Sequence, residues 1–221
     1  MKTLSGLFCA AALLLVDGGE AKATPVSLCD GIAGNLVSNC GFETGDFTSW
    51  AVSGNDTPGE YGNLYGVEMG ADPDGTEPNS GSYQAYFGDL VANETTLSET
   101  ISTTPGMYTV SLYLAQDTTP GTGQPPNSNA LAVTFDGISV ESLTDVPVEG
   151  YTHYSGVVAV TDSSSVLSIT LGNDLGFFQL DDVSVVGAAT PEPSSWTAGL
   201  LGCLSIGACL GFRKRRTRAG A

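Results

Sequence analysis

The chain has 221 residues and a formal net charge of −17, from 24 Asp and Glu against seven Lys and Arg. Between Ala23 and Phe212 there is no Lys or Arg, so this stretch lacks the cations that phosphate or nucleic-acid binding requires. The single histidine, His153, has no nucleophile motif beside it and no Gly-x-Ser-x-Gly sequence occurs, which argues against a Ser-His-Asp hydrolase.

In chain order, Lys2 precedes the apolar run Leu4–Val16, and Ala21-Lys22-Ala23 follows as a small-residue cleavage site. That order predicts a secretory signal peptide over residues 1–23, removed on export. Residues 24–189 then read as one all-β domain. Tyr108–Ala115 alternates, with Tyr108, Val110, Leu112 and Leu114 in one phase. Leu131, Val133 and Phe135 repeat the pattern, as do Leu167, Ile169 and Leu171. Each is a period-2 strand with one buried face. Gly/Pro/Asn-rich pieces separate them, the longest irregular one being "PGTGQPPNSNA", so the expected architecture is a β-sandwich. Only Cys29 and Cys40 of the five cysteines fall inside this domain, and in an oxidising compartment they are expected to pair. The acidic piece Asp72–Pro78 lacks the rest of a calcium-loop pattern and reads as a solvated turn.

Residues 190–221 change character. Trp196–Phe212 is uncharged and apolar or small throughout, and Arg213, Lys214, Arg215, Arg216 and Arg218 follow. Seventeen helical residues rise about 26 Å, close to the hydrocarbon thickness of a bilayer. Basic residues flanking a span stay on the cytoplasmic side. The expectation is one transmembrane helix over 196–212, with the acidic domain outside.

Pro191-Glu192-Pro193, this apolar run and the basic end together resemble the PEP-CTERM sorting signal of Gram-negative bacteria. The resemblance implies an exosortase as processing partner and export across the inner membrane. It also implies anchoring by the C-terminal helix, then residence at the cell surface or in an exopolysaccharide matrix. The domain carries a second resemblance. Asn39, Gly41, Phe42, Glu43 and Trp50 match the opening of jelly-roll modules with the galactose-binding-like fold, and "GFFQLDDVSV" resembles their closing strand. "NSGSYQAYFG" is similar to an early strand of the same modules. The implied fold is a jelly-roll β-sandwich with Trp50 in the core.

In such a fold the first and last segments meet, which would bring Glu43 to Asp181 and Asp182. No basic residue is at hand to neutralise these carboxylates, and a structural calcium, held by oxygens, is what the resemblance implies there. A strict two-residue period puts Asp181 on the face of Val183 and Val185, pointing inward. The other reading is that these acids cap turns and face solvent. Tyr86 and Tyr113 fall on the polar phase of their strands, where flat rings suit stacking on sugars, although outward tyrosines are also ordinary in strands. Tyr61, Tyr65 and Tyr151 are expected in or near loops. The function expected is an exported, non-catalytic surface or matrix protein that binds exopolysaccharide. The alternative is a secreted carboxylate-dependent hydrolase acting on polysaccharide, because acids are plentiful.

Overall fold

The alternating segments form strands, and the strands build two antiparallel sheets packed face to face. In the computed structural model the described residues are 26–54, 64–73, 75–88, 94–116, 128–174 and 176–188. The signal peptide, the Pro-Glu-Pro motif, the apolar run, the basic end, Tyr61 and most of the "PGTGQPPNSNA" piece lie outside them. No helix among the described residues is long and apolar enough to cross a membrane.

A short 3-10 helix, Leu28–Gly31, precedes ten strands. These are β1 Ala51–Ser53, β2 Tyr65–Met69, β3 Tyr83–Phe87, β4 Thr95–Ser102 and β5 Gly106–Gln116. They continue as β6 Asn129–Phe135, β7 Ile138–Thr144, β8 Glu149–Val160, β9 Ser164–Asn173 and β10 Phe178–Gly187. The first sheet has the order β1-β4-β9-β6-β7 and the second β2-β3-β10-β5-β8. Side chains of one phase fill the space between the sheets. Leu112 and Leu114 of β5, Leu131 and Val133 of β6, and Leu167, Ile169 and Leu171 of β9 are all buried, as the alternation predicts. Where β6 turns into β7, Asp136 and Gly137 both have positive φ (55° and 73°), the backbone of a type I′ turn.

The segment before β1 closes the fold. Cys40 O accepts from Val183 N, Leu36 N donates to Val185 O, and Asn35 bridges Val186, so residues 35–40 run along the free side of β10. This brings the opening and closing motifs together. Cys29 and Cys40 are bonded, which ties the 3-10 helix to that segment. Phe42 packs against Trp50 and Phe47, and Phe47 against Phe87, placing the opening motif's aromatics in the core.

Two expectations change. Tyr65 starts β2 and packs on the core, and Tyr151 lies within β8, so neither belongs to a loop. Asp181 does not share a face with Val183 and Val185. The β5–β10 register shifts between Asp181 and Ser184, where Asp182 has φ +49°. This bulge inserts one residue and reverses the phase. Asp181 therefore pairs with outward Tyr113, while Val183 and Val185 fall back in phase with the core.

Candidate functional site

Two places hold the chemistry. The first is the corner where the opening segment meets the bulge of β10. Asp181 Oδ2 accepts from Ser80 N and Oδ1 from Asp182 N. Asp182 accepts from Cys29 N, Asn79 Nδ2 and Ser80 Oγ. Glu43 Oε1 accepts from Ser82 N and Tyr83 N. One short segment, residues 79–83, thus bonds all three acids. Gly81 sits under Glu43 with φ +68°, and a Cβ there would overlap Glu43 Oε1.

The electrostatics of this corner are unbalanced. Asp181 is fully buried, and burial, then the charge of Asp182, pushes its carboxyl up to about 8, with Glu43 adding to the rise. Glu43 Oε2 is shielded from solvent and has no hydrogen-bond partner. A partnerless carboxylate oxygen beside a second carboxylate, with no Lys or Arg in the domain, is the donor set that a hard cation completes. Glu43 and Asp181 fit such an ion. Asp182 fits it less well, because three protein donors already engage its oxygens, against two backbone N–H groups on those of Asp181. Among the described residues the one group of three ligand-type side chains that converges is Cys29, Asp30 and Cys40, and the disulfide uses both of its sulfurs.

The second place is the outer face of the second sheet. The register aligns Gly66, Tyr86, Gln179 and Ala115 across β2, β3, β10 and β5. The next row runs from Glu68 and Gln84 to Asp181, Tyr113 and His153. Two aromatic groups stand on this face. Tyr86 lies across Gly66, where any Cβ would meet its ring, and packs edge-on against Phe177 at 5.8 Å. Burial and the charge of Glu68 raise the Tyr86 hydroxyl above its ordinary range. Tyr113 lies 4.8 Å from the His153 ring.

Between the two groups lie two buried amides. Gln84 and Gln179 point outward by phase yet are fully buried, because Gly70, Asp72, Thr76 and Tyr151 cover them. Gln84 Nε2 donates to Glu68, Gly70 O and Thr76 O, and Tyr151 Oη donates to Gln84 Oε1. Gln179 Nε2 donates to Asp72 Oδ2. Asp72 is therefore not a solvated turn residue. It is buried, accepts from Thr76 N as well, and pins its own loop to the sheet. Phe177, Gln84 and Gln179 escaped the sequence reading. Phe177 carried a signal, as the first of two aromatics entering the closing strand.

No family model matches the chain, and no curated protein matches it. Solved structures do. The carbohydrate-binding module TmCBM61, determined with β-1,4-galactotriose, superposes with a TM-score of 0.51 at 22% identity, over 70% of this chain and 99% of that one. A family 35 carbohydrate-binding module from Clostridium thermocellum gives 0.44 at 15% identity, over 65% and 95%. The CBM22-1 xylan-binding domain of Paenibacillus barcinonensis Xyn10C gives 0.43 at 18%, over 70% and 96%. The first of these shows the fold, a β-sandwich of the carbohydrate-binding-module type.

Proposed function

We propose that this chain is a non-catalytic polysaccharide-binding module that uses the outer face of its second sheet. The observation that carries the reading is the pair of aromatic groups, Tyr86 with Phe177 and Tyr113 with His153, set on one face of the second sheet. Sugar rings present apolar faces and polar rims, and flat rings held by a sheet receive them at small entropic cost. The fold likeness to carbohydrate-binding modules agrees with this. The buried acids speak for binding over hydrolysis. Asp181 has the raised pKa of a proton donor, but it is fully buried, bonded by Ser80 N with Gly41 beside it, and leaves a substrate no path to it.

Around this module we place the sorting reading. The N-terminal signal exports the domain, the Pro-Glu-Pro tail passes to an exosortase, and the C-terminal helix anchors the chain until processing. Calcium, held by Glu43 and Asp181, ties the opening segment to the last strand. Each of these rests on the residues named above.

Affinity electrophoresis of the full chain through gels containing neutral and acidic polysaccharides tests the binding. Retardation by at least one neutral polysaccharide is expected, with Tyr86→Ala and Tyr113→Ala each reducing it. Equal mobility in every gel, or retardation that neither substitution changes, contradicts the proposal.

A further inference from the structure

Among the described residues, four strands have an open side: β1 and β7 in the first sheet, β2 and β8 in the second. An open edge displays unpaired N–H and C=O groups and invites another strand, so proteins keep such edges short, bulged or charged. Three of the four follow that rule. β1 has three residues and β2 has five, with Glu68 among them. β7 has seven, carries Glu141, and faces a register shift in β6. The fourth does not. β8 has twelve residues, and after Glu149 its sequence "GYTHYSGVVAV" contains no acid, no Lys, no Arg and no Pro.

The edge is also open in the structure. Among the described residues, nothing outside β5 hydrogen-bonds to the backbone of residues 151–160. Val140 of β7 packs under Gly156 from the inner side and supports the strand without pairing with it. His153, Ser155, Val157 and Ala159 are exposed on the outer side, Val157 at 58%.

We infer that β8 pairs with β8 of a second copy, antiparallel about a twofold axis, joining two five-stranded sheets into one of ten. Charge selects the occupant. The chain carries −17, and no cation lies between Ala23 and Phe212 to attract another copy's acids. An approach through the other long or acidic edges, β2 with Glu68 or β7 with Glu141, sets carboxylate against carboxylate. β8 is a long edge without a carboxylate past its first residue, so β8 meets it without like charges opposed. A twofold antiparallel pair is also closed: it hides both edges and leaves none of that kind to propagate a filament. One strand pair buries little surface compared with a standard interface, so association is weak and depends on concentration. The inference stands apart from the sugar reading. Where both hold, the dimer sets two Tyr113–His153 groups on one continuous face, and repeating polysaccharides would bind with avidity.

The test is sedimentation of the full chain in mild detergent, from about 5 to about 500 µM, a range suited to a weak dimer. The mass per micelle-corrected particle is expected to rise from one chain to two. Ser155→Glu and Val157→Glu, both on exposed positions, should weaken this by about tenfold or more, while Val157→Thr retains it. Amide exchange gives a second readout on the unaltered chain, since backbone amides of 151–160 should become slower to exchange as concentration rises. A single-chain mass throughout overturns the inference. So does a dimer that both Glu variants leave intact, which would place the contact elsewhere, the apolar segment 196–212 included. Should the Glu variants fail to fold, exchange in 151–160 that ignores concentration overturns it alone.

Discussion

Glu99 is a carboxylate on the wrong face of its strand. It shares the inward phase of β4 with Leu97 and Ile101, and both of its oxygens accept from Ser38 N. Burial raises its pKa above the ordinary carboxylate value, and the Ser38 bonds only partly offset this. Between the unfolded and folded values the native state keeps a proton that the unfolded state has lost. Stability from this group is therefore present at low pH and falls as pH rises through that window. Glu99→Gln keeps an acceptor for Ser38 and removes the charge. Thermal melts should show the variant more stable than the parent at pH 7 by a few degrees, with the gap closing at about pH 4. A variant less stable at pH 7 would show that the charge is not a burden. At the β10 corner the expected remedy is a cation. Chelation of the full chain should lower the melting temperature by about 5–10 °C, from an ion that binds only the folded state. Asp181→Asn should abolish the difference. An unchanged melt after chelation counts against the ion.

At the scale of elements, the disulfide and the opening segment do the joining. Cys29–Cys40 closes a short loop, and removing it by Cys29→Ser/Cys40→Ser should cost about 3 kcal/mol in chemical denaturation. A loss near zero would mean that the Val183–Cys40 and Leu36–Val185 hydrogen bonds hold the segment unaided. Gly66 tests the platform on the other side of the sheet. Gly66→Val should lift the Tyr86 ring and weaken polysaccharide retention while the melting curve stays within a few degrees. Strands such as β5 and β9 were legible because one face is apolar and the other polar. β4 and β7 were not, because Ser, Thr and Glu fill much of both phases. The bulge in β10 was invisible for a different reason. Val183 and Val185 continue an apparent two-residue period from Asp181, and the register shift shows only when β5 lies alongside. Nothing local marks Gln84 and Gln179 as buried, and Asp72, 107 residues from Gln179 along the chain, belongs to the loop that covers them. Contacts of that range leave no local mark in sequence.

For the whole molecule, charge is the dominant fact. With −17 overall and every Lys and Arg outside 23–212, the folded domain repels itself. Monovalent salt should raise its melting temperature by screening, and calcium should raise it further at matched ionic strength. Equal effects of the two salts would reduce the β10 corner to one more part of an acidic surface. The same charge restricts ligands to those that need no cation, and neutral polysaccharide meets that condition. The aromatic groups on the second sheet say where it would sit. That placement is tested most directly by titrating the isotopically labelled chain with the polysaccharide that retards it most, and following each backbone amide by NMR. The account predicts shifts concentrated at Tyr86, Phe177, Tyr113 and His153, with the first sheet's outer face unmoved. Shifts confined to the first sheet, or to neither face, would contradict it.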